Sequence, residues 1–87
     1  MPFALPSRVT LVEAPALIAA GIAHLRDGDA AFDLGAVTTC DSSVLACLNE
    51  WRRQAARLGK GDVHVINVPE GIRRIARLYG VESLTLG

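Results

Sequence analysis

The sequence predicts a small α/β domain in which short, mostly parallel strands form a sheet packed with α-helices. Short β-branched or apolar runs alternate with longer segments whose apolar residues recur every three or four positions. Strand and helix alternation of this kind is typical of right-handed crossovers between parallel strands. The chain has 87 residues, of which 51% are hydrophobic and 21% charged. This length and composition predict one domain over residues 1–87.

The first third of the chain is predicted to hold a strand, a helix and a second strand. The β-branched run Val9–Val12 indicates the first strand. Pro15 suits the first turn of the helix, and Gly28 ends it. The inner face of this helix is formed by Leu17, Ile18, Ile22 and Leu25. Ala30–Leu34 is predicted as the next strand, and Phe3–Leu5 as an additional strand at an edge.

The middle of the chain contains the clearest helical pattern, which covers Ser42–Leu58. Its apolar residues lie on one stripe, namely Val44, Leu48, Trp51, Ala55 and Leu58. Gly59 and Gly61 end this helix, and Val63–Ile66 is predicted as the third strand.

The last helix is predicted to begin at Pro69 and Glu70. Asn67 precedes Glu70 by three residues, the spacing of a capping box. The inner stripe consists of Ile72, Ile75, Ala76 and Tyr79. Gly80 stands where a helix commonly ends in a left-handed residue. Ser83–Leu86 could add a short extended piece.

Charge and composition exclude several function classes. Nine basic and nine acidic residues give no net charge, so nothing indicates binding to nucleic acid. Cys40 and Cys47 are too few for a disulfide scaffold and predict buried free thiols in a reducing compartment. No nucleotide-binding glycine motif, secretory signal or membrane span is visible, which predicts a cytosolic domain without a cofactor.

The charge is unevenly distributed along the chain. Residues 1–50 carry two basic and six acidic side chains, whereas residues 51–87 carry seven basic and three acidic ones. The last two helices contain Arg52, Arg53, Arg57, Arg73, Arg74 and Arg77. These arginines form either solvated outer faces or a basic patch that meets an acidic partner or anionic lipid headgroups.

Catalytic groups are scarce. His24 and His64 are predicted on different elements, and neither is close in sequence to a candidate nucleophile. The seven-residue spacing of the cysteines does not suit a metal site. A hydrolase that used Ser42 as its nucleophile would need a base that the sequence does not place nearby. The sequence therefore predicts a protein that is not an enzyme.

The segment Thr38–Leu45 places four hydroxyls and one carboxylate at the start of the main helix. In one interpretation Asp41 caps the helix, and Ser42 and Ser43 are ordinary residues of the first turn. In the other, Thr39, Asp41, Ser42 and Ser43 form an exposed loop that binds a partner. A phosphate on Ser42 would then add roughly two negative charges at the positive end of the helix dipole.

Several segments together carry a family resemblance. Asp33–Val37 followed by Cys40–Ser43 resembles the segment around the conserved serine of STAS domains. Asn67–Pro69 and Ala76–Val81 are similar to the ending found in transport-associated members. The resemblance extends from about Val9 to Leu86. It is strongest to the small STAS subunit of bacterial phospholipid-transport ABC systems, of the lipid-asymmetry type, and the chain is also similar to anti-sigma factor antagonists.

This resemblance implies a non-enzymatic accessory subunit that binds and regulates the cytoplasmic ATPase of a phospholipid-transport ABC system. Such a subunit would lie at the inner membrane through its partner, without inserting into it. The alternative is an anti-sigma factor antagonist whose Ser42 is phosphorylated by an anti-sigma factor kinase. The family usually has glycine where this chain has Val44, and a side chain there is expected to narrow the approach to Ser42. Exposed apolar positions at Phe3 and Leu5 leave a homodimer through paired edge strands open.

Overall fold

A computed structural model describes residues 1–85 of the chain. In chain order, the elements are β1 (Phe3–Ala4), β2 (Arg8–Val9), α1 (Ala14–Arg26), β3 (Ala31–Asp33), β4 (Thr39–Cys40), α2 (Ser43–Arg57), β5 (His64–Ile66), α3 (Glu70–Leu78) and a 3₁₀ helix (Glu82–Thr85). The main helix therefore has the predicted position, with Ser42 and Leu58 as its capping residues.

The strands form two small parallel sheets. One has the order β1-β3-β5, and the other pairs β2 with β4. The backbone N–H groups of Thr38 and Thr39 both donate to the Ser7 carbonyl, at 2.9 and 3.0 Å, which extends the pairing of β2 with β4 to the residue before β2. The predicted α/β class with parallel strands is confirmed, and so is an edge strand at Phe3–Ala4.

The core is centred on Trp51 of α2, which has no exposed surface. Its indole stacks on the Phe32 ring of β3, with centroids 4.4 Å apart and planes inclined by 11°. The indole N–H donates to the Ile18 carbonyl of α1 at 3.2 Å. Gly21 of α1 lies directly against the indole, where a Cβ atom would overlap the ring. The Trp51 side chain thus joins α1 and α2 to the sheet.

The strand predicted at Val9–Val12 stops at Val9, because the next four residues form the turn that enters α1. Thr10 donates to Glu13 Oε1 from its backbone N–H, at 2.8 Å, and from its hydroxyl, at 2.6 Å. These contacts resemble the reciprocal half of a capping box, for which Thr-x-x-Glu is the sequence signature. The capping signature at Thr10–Glu13 therefore determines the local structure, although the run Val9–Val12 has a high β propensity.

Two details of the predicted last helix are wrong. Pro69, rather than Asn67, precedes its first turn. Asn67 adopts a left-handed conformation with φ of 56° and donates from its side chain to Asp33 Oδ1 at 3.2 Å. Tyr79 is exposed rather than on the inner stripe, because the helix ends before it. Gly80 has a φ of 69°, as expected of a residue after a helix end.

The C-terminal segment is helical rather than extended, since Glu82–Thr85 forms a 3₁₀ helix. Leu86, the end of the predicted extended piece, lies outside the described residues. The Arg52 guanidinium donates to the Ser83 carbonyl at 3.0 Å and to both Asp62 carboxylate oxygens at 2.9 and 2.6 Å. Arg52 therefore anchors neighbouring segments to α2.

The edge of the sheet does not present the apolar side chains expected there. Phe3 is half-buried against the core, and Leu5 is buried with 1% of its surface exposed. Neither side chain is therefore the exposed apolar position expected, but β1 is an edge strand of its sheet, and a homodimer through it stays a prediction.

We expect Gly21→Ala to lower the free energy of unfolding by about 1–2 kcal/mol, because the new methyl group must displace a buried indole. The gain in helix propensity, about 1 kcal/mol, offsets only part of this overpacking. Gly71→Ala in α3 is the control, because its Cβ would meet no atom within 4 Å. It should raise stability by up to about 1 kcal/mol. Urea unfolding measures both, and equal stabilisation by the two changes would contradict the packing argument.

Candidate functional site

The candidate site forms where the carboxyl ends of two paired strands meet. β2 and β4 are parallel neighbours, with Val9 opposite Cys40. The chain leaves β2 into the turn at Thr10–Glu13 and leaves β4 into Asp41 and the first turn of α2. Both segments therefore lie at the same edge of the small sheet.

Asp41 joins these two segments through its carboxylate. Oδ1 accepts a hydrogen bond from the Ser43 backbone N–H at 2.8 Å, and Oδ2 accepts one from the Leu11 backbone N–H at 3.1 Å. The Ser43 backbone N–H, followed by the Ser43 hydroxyl and the Leu11 N–H, lowers the pKa of Asp41 below its ordinary value. The carboxylate is therefore charged at neutral pH and satisfies a helix-start donor, as a cap does.

Ser42 follows Asp41 at the start of α2 and is exposed. Within residues 1–85, its hydroxyl makes no capping hydrogen bond to the helix. Its carbonyl accepts the Leu45 N–H at 3.0 Å, after the Asp41 carbonyl has accepted the Val44 N–H at 3.2 Å. Ser43 is half-buried, and Thr39 is exposed on β4. The four predicted site residues thus lie on one short continuous segment, and their role in binding remains a prediction.

Val44 does not narrow the approach to Ser42 as expected. Its side chain has no exposed surface and belongs to the core. The helix turns it inward, so it does not lie between Ser42 and an approaching protein. The side chain that replaces the family's usual glycine therefore leaves the exposed face of this segment unchanged.

Of the two thiols, Cys40 lies within this segment and Cys47 lies four residues after it in α2, and both are protonated at neutral pH. Burial raises the pKa of Cys47 to about 11. Burial, together with the nearby Asp41 charge, also raises the pKa of Cys40. Cys47 is buried as predicted, whereas Cys40 is only half-buried. A thiol held in its protonated form is a poor nucleophile.

The histidines belong to other parts of the fold. His24 packs against the Phe3 and Phe32 rings, with centroids 5.5 and 5.8 Å away. Its Nε2 atom lies 3.6 Å from Asp29 Oδ2. His64 is paired with Ala31 at the start of β3, whereas Ser42 follows the end of β4.

Two exposed residues beside Asp41 were not predicted from the sequence. Leu11 and Val12 were predicted within a strand, but they project from the turn beside Asp41 with 74% and 80% of their surface exposed. The Thr-x-x-Glu signature that surrounds them could have identified the turn.

The fold and the site together describe a parallel α/β domain that displays a polar helix start on its surface. A family model described as "Mlab, STAS domain" matches residues 3–86. The chain therefore belongs to the STAS-domain family, whose domains are generally non-enzymatic and mediate protein–protein interactions. Searches of curated proteins and of solved structures find no match. No helix within residues 1–85 combines the length and apolar character needed to span a membrane.

We expect Asp41→Ala to destabilise the protein and Asp41→Asn to do so less, because the amide oxygen keeps one acceptor. The folded-state pKa of Asp41 is lowered, so the charged form favours folding above the ordinary value of 3.8. The loss of unfolding free energy caused by Asp41→Asn, measured by urea unfolding, should therefore be constant near neutral pH. It should shrink as the pH falls through 3.8 toward the lower folded-state pKa. A deficit that grows on acidification would contradict this assignment.

Proposed function

We propose that this protein is a non-enzymatic STAS subunit that binds and regulates the cytoplasmic ATPase of a phospholipid-transport ABC system. The exposed Ser42 hydroxyl at the start of α2 carries the proposal. Thr39, Asp41 and Ser43 surround it on one segment and complete the proposed contact. The ATPase would hold the subunit at the cytoplasmic side of the inner membrane.

The division of roles between Asp41 and Ser42 supports this proposal. Asp41 accepts the Ser43 N–H, so the helix start does not depend on the Ser42 hydroxyl. That hydroxyl can therefore donate or accept a hydrogen bond with another protein. Within residues 1–85, a contact of this kind is formed without breaking a capping hydrogen bond of α2.

The outward face of α2 extends this surface. Ala46, Asn49 and Arg53 are exposed along successive turns, whereas the opposite face is buried in the core. Within residues 1–85, the Arg53 side chain forms a long ion pair with Glu50, at 3.5 Å. A partner that contacts Ser42 can thus continue along a mostly polar helix face.

We expect Ser42→Glu to weaken binding of the purified ATPase at least tenfold, about 1.4 kcal/mol. The glutamate adds bulk and a second negative charge next to Asp41, in the middle of the proposed contact. Ser83→Glu, which adds the same charge at an exposed serine on the 3₁₀ helix, is the control. Affinity is measured on immobilised ATPase, with thermal unfolding to verify the fold. Undiminished binding by the Ser42 variant would contradict the proposal.

The second candidate is an anti-sigma factor antagonist that is switched by phosphorylation of Ser42. The burial of Val44 favours it, because no side chain at that position obstructs a docked kinase. A phosphate there would also meet the positive end of the α2 dipole.

Incubation with an anti-sigma factor kinase and ATP, followed by intact-mass measurement, tests the second candidate. The switch predicts a single gain of roughly 80 Da, one phosphate, that is lost in Ser42→Ala. A protein of unchanged mass that still binds the ATPase would exclude the switch and favour the accessory subunit.

A further inference from the structure

The turn before α1 holds two adjacent apolar side chains in solvent. Leu11 is 74% exposed and Val12 is 80% exposed, and they lie directly beside Asp41. We infer that Leu11 and Val12 are the apolar anchor through which the protein that contacts Ser42 docks on this domain. The inference rests on the proposed function and adds to it a second, chemically different part of the contact surface.

Hydrogen bonds fix the turn in this conformation before any partner arrives. The Val12 N–H donates to Thr10 Oγ1 at 3.3 Å, and the Glu13 N–H donates to the Thr10 carbonyl at 3.1 Å. The Glu13 carboxylate accepts from Thr10 and forms an ion pair with Arg8 at 3.3 Å. A turn that is already ordered loses little conformational entropy on binding.

The apolar turn is continuous with the Ser42 surface through Asp41. One carboxylate oxygen accepts the Leu11 N–H, and the other accepts the Ser43 N–H next to Ser42. The two segments are 30 residues apart in sequence but share this acceptor. Ser42 and the turn with Leu11 and Val12 thus lie on either side of one carboxylate, close enough for a single protein surface of ordinary size to contact both.

The local charge defines the chemistry of the partner. Asp41 and Glu13 supply two carboxylates at this edge, and the Arg8 guanidinium balances one of them. Hydrogen bonds lower the pKa values of both carboxyl groups, so the edge is negative at neutral pH. It fits a protein with an apolar recess for two side chains and a basic rim better than it fits an anionic membrane.

The test compares four purified proteins on the immobilised ATPase: wild type, the double variant Leu11→Ser with Val12→Ser, Ser42→Glu, and Leu78→Ser. Leu78 on α3 is 77% exposed and serves as the matched control for loss of an exposed apolar side chain. We expect the double variant to raise Kd at least tenfold, about 1.4 kcal/mol, and Leu78→Ser to change it less than about twofold. The thermal unfolding of these variants should match that of wild type, since Leu11, Val12 and Leu78 are all in solvent.

The outcomes separate the two proposals. If Ser42→Glu weakens binding and the double variant does not, the anchor is overturned and the proposed function stands. If wild type does not bind the ATPase, both proposals fall together. Vesicles containing phosphatidylglycerol and sedimentation of the protein alone complete the experiment. Vesicle binding or self-association that disappears only in the double variant, with ATPase affinity unchanged, would reassign the two side chains to a membrane or to a second copy.

Discussion

The contact between Trp51 and Gly21 determines how the two main helices of this domain can pack. An indole ring reaches the backbone of α1 only because Gly21 has no side chain, and the same ring stacks on Phe32. Interiors are packed to crystal-like density, so a ring of this size fixes the separation and rotation of its neighbours. The orientation of α2, and with it the position of its first turn, follows from this one contact.

The packing of α2 in the core also determines which residues at its start are exposed. The inward stripe of the helix, which begins with the fully buried Val44, determines which residues of the first turn face solvent. Ser42 is left outside, while Asp41 satisfies the backbone beside it. STAS domains mediate protein–protein interactions, and the use of this segment as the contact is a proposal. The particular partner is a proposal that the binding and mass experiments address.

Much of this fold could be predicted from the sequence, because apolar periodicity reports burial directly. The stripe of α2 from Val44 to Ala55, the parallel strands and the left-handed Gly80 were predicted on such local evidence and are confirmed. Leu58, also predicted on that stripe, is 40% exposed because the helix ends before it. The turn at Thr10–Glu13 was missed, because a β-branched run was given more weight than a capping signature in the same residues. The role of Asn67 depends on Asp33, a residue far away in sequence, and no local pattern contains that contact.

The shared carboxylate of Asp41 has a thermodynamic consequence for any event at this edge. Because one side chain accepts from both the turn and the helix start, the energies of these two segments are linked. Linkage is reciprocal: a change at the helix start that alters the contact of Asp41 with the Ser43 N–H also alters its contact with the Leu11 N–H, and a change at the turn acts back by the same coupling free energy. Two surface segments that are distant along the chain thus respond as a single unit.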